Sequence, residues 1–221
     1  MANTDDGGEK PVTQGRIHQR FGDNHALQAM LVWLGGLWLA MAIAPFDRFD
    51  WLLENLLVFI YGAILIATHR RFAFSNLSYA LFTLFMSLHL VGAHYTYAET
   101  PLGFWLQDWL GLGRNHYDRI VHFSFGLLMA YPFRELLLRA AGVRRAWSYP
   151  LVLVTVLGFS GFYEALEGIV AVTVSPELGA AYLGTQGDEW DAQKDTALAF
   201  SGAAVTMFLV WLAVRRHGHE D

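Results

Sequence analysis

The chain contains no cysteine, which excludes disulfides, thiolate metal ligands and a cysteine nucleophile. It also lacks a basic patch. Fifteen Lys and Arg stand against twenty Asp and Glu, for a formal charge of −5, and the cations sit at the ends of apolar segments, so nucleic acid is not expected as a partner. No internal repeat is present, and no low-complexity tract beyond the polar residues 1–25, which read as a cytoplasmic tail. No cleavable targeting segment is expected either. Ala42-Ile43-Ala44 offers small residues of the right kind, but the apolar run before it is too long and Pro45 follows directly.

What the chain has in quantity is apolar sequence in long runs. Windows at 26–44, 51–68, 75–94, 120–138, 149–174 and 196–214 each suffice to cross about 30 Å of hydrocarbon. Six such windows in 221 residues leave too little polar chain to coat a soluble fold. The expected fold is therefore all-α, a polytopic membrane bundle of about six transmembrane helices over 26–216, with a short tail at 217–221.

The distribution of cations orients it. Lys10, Arg16, Arg20, Arg70, Arg71, Arg139, Arg144, Arg145, Arg215 and Arg216 fall on one side, and Arg48, Arg114, Arg119 and Lys194 on the other. The positive-inside rule then puts both termini in the cytoplasm and the connections near 95–119 and 175–195 outside. The first connection carries Phe104, Trp105 and Trp109, which suits a lid or an anchor in the membrane interface.

Carboxylates and imidazoles gather at the same outer side. Asp118 and His122 are four apart at the start of the fourth span and share a face, a spacing for two ligands of one metal or for a carboxylate that orients an imidazole. Glu164 and Glu167 share a face within the fifth span, where a carboxylate must be paired, protonated or metal-bound. Asp188, Asp191 and Asp195 lie at offsets of zero, three and seven, one stripe if that stretch is helical. Helix capping alone would explain some of these carboxylates, and pairing with Arg119 or His122 is the structural alternative for Glu164 and Glu167. His89 reads as an interhelical hydrogen-bonding residue, and Arg134-Glu135 as a structural ion pair.

The residues support a metal-dependent hydrolase acting on a lipid or envelope-precursor head group. The expected ligands come from His116, Asp118, His122, Glu164, Asp188 and Asp195, with His122, Glu164 and Asp195 foremost, and the expected metal is zinc, manganese or iron. Asp191 or Glu167 would act as general base and Arg119 would steady an oxyanion. A cation or proton binder or transporter, and an electrostatic scaffold without chemistry, are the alternatives.

Four groups of residues carry a resemblance: Asn115-His116-Tyr117-Asp118-Arg119 with His122-Phe123 and Gly126; Arg134-Glu135-Leu136-Leu137-Leu138-Arg139; Glu164 and Glu167; and Tyr182-Leu183-Gly184-Thr185-Gln186-Gly187-Asp188 with Trp190-Asp191, Gln193 and Asp195. Together they resemble the YjdF inner-membrane protein family of bacteria. That likeness implies a multi-pass protein of the inner membrane and brings no catalytic mechanism with it. Asp118-Arg119 with His122, and Asp191 with Asp195, are also similar to VanZ-like proteins, linked to glycopeptide tolerance at the cell envelope.

Overall fold

A computed structural model describes residues 21–217, so most of the tail expected at 1–25, and residues 218–221, lie outside the described residues. After a 3-10 turn at Phe21–Asp23 come eight α-helices: α1 His25–Met41, α2 Arg48–Thr68, α3 Asn76–His94, α4 Pro101–Leu110, α5 Tyr117–Arg139, α6 Arg145–Thr173, α7 Pro176–Leu183 and α8 Asp191–His217. No strand occurs among the described residues. A hydrocarbon phase offers the backbone no partner, so apolar runs of this length satisfy their amides internally as helix. Polar caps set the starts. Asp47 accepts from the amides of Phe49 and Asp50, both at 2.8 Å, and Ser75 accepts from that of Ser78 at 3.2 Å.

Four helices, α2, α3, α6 and α8, are long and apolar enough to cross a membrane. Of the other two expected spans, α1 is apolar but 17 residues long, and α5 has the length but carries Asp118, Arg119, His122, Arg134, Glu135 and Arg139. Val32, Ile66 and Val172 are each more than 75% exposed, as lipid-facing side chains of a bundle are.

The closest approach of two helices is that of α5 and α8. A Cβ on Gly126 would lie 2.8 Å from the Ala203 amide nitrogen and closer still to the Ala199 carbonyl, and one on Gly202 would lie 2.7 Å from the Leu127 amide nitrogen. Thr206 Oγ1 donates across the seam to the Leu127 carbonyl at 2.5 Å. Small residues and a hydroxyl bond are how helices associate when lipid removes the hydrophobic drive between them. Ala199 and Ala203 then pack with Ala130, Val152 and Val156 into one core cluster.

The Arg139 end of the bundle, called here the basic end, is tied by Glu135. Its carboxylate accepts from the Ser75 amide and hydroxyl, both at 2.8 Å, and from the Ser78 hydroxyl, and it pairs with Arg139. The expected partnership of Arg134 with Glu135 does not form. Arg134 instead donates to Ser148 Oγ at 3.1 Å and lies over the Tyr149 ring at 5.0 Å, because neighbouring residues on a helix point about 100° apart.

Candidate metal centre

Helix rise alone brings three distant segments to one level. Asp118, Glu164 and Asp195 stand about 21, 19 and 21 residues from the basic-end arginines Arg139, Arg145 and Arg216. At 1.5 Å per residue each lies ~30 Å above that end, one hydrocarbon thickness. The close α5–α8 crossing and the packing of α6 on both then bring these side chains together laterally.

Asp118, Asp191 and Asp195 each present a carboxylate oxygen within 4.8 Å of the others. His122 Nε2 lies 3.5 Å from Asp118 Oδ1 and 3.3 Å from Glu164 Oε1. Glu167 joins Asp118, Glu164, Asp191 and Asp195 in lining a cavity of about 180 Å³ closed by Leu183 and Thr185. Asp195 is 1% exposed, and its Oδ1 has no hydrogen-bond partner, nor does Glu164 Oε1. An ionised carboxylate is very costly without compensation. Of the trio foremost in the sequence, Glu164 and Asp195 line this cavity and His122 stands beside Glu164, but the tight three-oxygen group is formed by Asp118, Asp191 and Asp195.

Two expected ligands stand apart. His116 precedes α5 and points to a different groove, where its Nδ1 accepts from Arg119 Nη1 at 3.3 Å. Burial, and after it the charges of Arg119 and Arg114, lower its pKa, so the ring is neutral and free to accept. Asp188 lines the cavity, but its oxygens are taken: Lys194 Nζ at 2.6 and 2.8 Å, Arg119, and the Trp190 amide at 3.1 Å. Nor does it continue the stripe of Asp191 and Asp195, because α8 begins only at Asp191 and positive φ at Gly184, Gln186 and Gly187 turns the preceding chain.

Asp188 and Asp191 belong to a frame of ion pairs. Arg114 Nη1 meets Asp191 Oδ1 at 2.8 Å and the Thr185 carbonyl at 2.7 Å, and Arg119 Nη2 meets Asp188 and, at 3.1 Å, Asp191 Oδ1. Beside them Asn115 and Gln186 bond reciprocally, the Asn115 amide to Gln186 Oε1 at 3.1 Å and Gln186 Nε2 to the Asn115 carbonyl at 2.9 Å. The Leu183-to-Asp188 run is therefore a latch that fixes the start of α8 against the start of α5. Its acid tolerance is predictable. The Lys194 ammonium, and after it the Trp190 amide, hold the Asp188 carboxyl well below its ordinary 3.8. A depressed value means that the contribution is complete above about pH 4 and is lost as pH falls toward the folded value. The difference in thermal midpoint between wild type and Asp188→Asn should stay constant from about pH 8 to 5 and shrink below about pH 4.

The sequence reading passed over Arg114, Glu54 and Asp50. Glu54 is 2% exposed and accepts from the Tyr163 hydroxyl at 3.0 Å, and the buried Asp50 has no partner on Oδ2. The rule applied to Glu164, that a carboxylate inside an apolar span needs a reason, applies equally to Glu54. His89 does bridge helices, with Nε2 3.2 Å from the Glu54 carbonyl and Nδ1 2.6 Å from the Tyr97 hydroxyl.

The loop at 95–119 forms a helix, α4, docked through Gly103, where a Cβ would overlap the Asn115 side chain. Trp105 and Trp109 stack with centroids 5.7 Å apart and are exposed, as interfacial rings are.

Compared with known proteins, residues 26–216 match the family described as "Predicted membrane protein (DUF2238)". The chain is 41% identical over 170 residues to the inner membrane protein YjdF of Escherichia coli strain K12, covering 76% of this chain and 80% of that protein. No solved structure matches. The VanZ-like resemblance gains no support from these findings. An all-helical chain with four helices able to cross a bilayer, matched over its whole apolar region, is an integral membrane protein. It belongs to the DUF2238 family of membrane proteins.

Proposed function

We propose that this protein holds a divalent cation between Asp118, Asp191 and Asp195, with His122 and Glu164 beside it, and uses it to hydrolyse a lipid or envelope-precursor head group at the outer face of the bacterial inner membrane. The supporting observation is Asp195 Oδ1, buried without a partner in a cavity of carboxylates. The reading takes α1 and α5 as spans too, giving six crossings with both termini cytoplasmic, as the cation count favours. It treats 1–25 and 217–221 as the cytoplasmic tails that flank the bundle.

The donor set is oxygen-rich, with one imidazole and no thiolate, which suits manganese or iron(II) better than zinc. Such an ion, when bound, supplies Lewis acidity and lowers the pKa of water. The chain's own residues supply the rest. Glu167 and Glu164 border the same cavity and can take a proton from water, and Arg114 and Arg119 pair with Asp191 and fix its orientation. A second reading, passage of a cation or proton with no bond broken, draws on the buried carboxylates that continue from Glu167 past Tyr163 to Glu54 and Asp50. Tyr163 and Glu167 are four apart and share a face of α6.

The test is elemental analysis of protein purified without chelator and then offered manganese, iron(II) and zinc in turn. One metal ion per chain is expected, lost in Asp195→Asn. Glu164→Gln should keep the elution volume and thermal midpoint of wild type without metal, because neutralising one of several crowded carboxylates relieves repulsion, while the stabilisation by added metal falls. Intact, metal-free wild type under all three ions would overturn the proposal, as would a metal-independent loss of stability in Glu164→Gln.

A further inference from the structure

A groove of about 610 Å³ runs between α5 and α8 on the far side of Arg119 from the carboxylate cavity. Its floor is made by Ala197 and Ser201, one turn apart on α8 and both exposed, and its α5 wall by Ile120 and Phe123. Ser201 does not make the trough polar, since its hydroxyl donates to its own helix, to the Ala197 carbonyl at 2.8 Å. Small side chains over one turn leave a trough that larger residues would fill.

The polar end of this trough is lined by His116, Arg119 and Lys194, with no carboxylate. The cations' partners Asp188 and Asp191 line the carboxylate cavity instead. Lys194 has a side chain 49% exposed, and Arg119 meets its carboxylates through Nη2, while Nη1 reaches only the His116 ring. Arg119 and Lys194 also stand about 20 and 21 residues from Arg139 and Arg215. That is ~30 Å from the basic end, the depth at which phosphates border hydrocarbon.

We infer that this groove binds one anionic phospholipid of the leaflet at the α4 side, with its phosphate at Arg119 and Lys194 and an acyl chain along Ala197 and Ser201. An apolar trough whose charged lining is two cations at the head-group level matches an anionic amphiphile in both halves. A second copy of the chain fits poorly, because a self-complementary contact would set Lys194 and Arg119 of both copies against each other. The inference does not depend on the metal site, which lies on the other side of Arg119.

The test uses the full chain in detergent, with native mass spectrometry and thermal unfolding after addition of phosphatidylglycerol, phosphatidylcholine of the same chains, or glycerol phosphate. One phosphatidylglycerol per chain should be retained and should raise the midpoint, phosphatidylcholine should bind more weakly, and glycerol phosphate should do nothing. Lys194→Ala should weaken the phosphatidylglycerol preference about fivefold. Ala197→Phe, at an exposed position, should abolish retention of both lipids and leave metal content unchanged. Equal retention of the two lipids, full retention by Ala197→Phe, stabilisation by glycerol phosphate alone, or a lipid-free dimer would each overturn it. A failure of metal binding would leave these results untouched.

Discussion

Gly126→Leu and Gly202→Leu are each expected to yield no folded monomer in detergent. A side chain at either position would run into backbone of the facing helix, the Ala199 carbonyl and Ala203 amide in one case, the Phe123 carbonyl and Leu127 amide in the other. No rotamer relieves such a contact, so α5 and α8 must separate. That loses the Thr206 bond to Leu127 and the packing of Ala199 and Ala203. Overpacking typically costs about 1–3 kcal/mol, and two rigid helices place these variants at or above that range. Even Gly126→Ala should destabilise, against the helix propensity gain of about 1 kcal/mol that the exchange brings elsewhere. Gly158→Ala on α6 is the control: nothing lies within 4 Å of its missing Cβ, so it should be neutral or slightly stabilising. Size-exclusion profiles and thermal midpoints of the four proteins decide the matter. A well-folded Gly202→Leu would mean that the crossing is looser than described.

Arg114→Ala is the second large effect. The guanidinium neutralises the buried Asp191 at 2.8 Å and holds the Thr185 carbonyl at 2.7 Å, so its removal leaves a desolvated charge and undoes the latch. Breaking a buried pair by deleting one partner costs about 3–5 kcal/mol. Arg119 still reaches Asp191 at 3.1 Å, which points to roughly 3 kcal/mol. The sign of the second substitution is diagnostic. Asp191→Asn in the Arg114→Ala background should recover part of the loss, since the unpaired charge is then gone, whereas Asp191→Asn alone should destabilise. Arg114→Lys should be intermediate, because one ammonium cannot meet Asp191 and the Thr185 carbonyl in a fork. Equal midpoints for Arg114→Ala and wild type would show that the frame carries no stability.

The sequence reading reached the helices more surely than the contacts. Long apolar runs report spans directly, so all six windows correspond to helices, and the i, i+4 spacing of Asp118 and His122 is realised at 3.5 Å. Counting residues from the basic ends would also have put Asp118, Glu164 and Asp195 at one depth. Lateral neighbours are another matter. Which cation takes which carboxylate depends on the rotation of α8 about its axis, set by Gly126 and Gly202, and no periodicity encodes it. Asp188 therefore read as a ligand when its oxygens are filled by Lys194 and Arg119. His116 read as one because it is near Asp118 in sequence, although it precedes α5 and lines the other groove. Arg114 read as a loop cation because its partners come more than seventy residues later.

The 29-residue length of α6 has an electrostatic consequence. Helices α5 and α8 both begin at the carboxylate cluster and run the same way, so their macrodipoles add there, with roughly half a positive elementary charge from each. An antiparallel neighbour of equal length would cancel much of this field with its own negative end. Helix α6 instead continues from Glu164 to Thr173, which carries its carbonyl terminus ~13 Å further along the axis, beyond the single turn over which such fields act strongly. The extra turns of α6 thus leave Asp118, Asp191 and Asp195 under two positive helix ends, whose field occupies none of their oxygens.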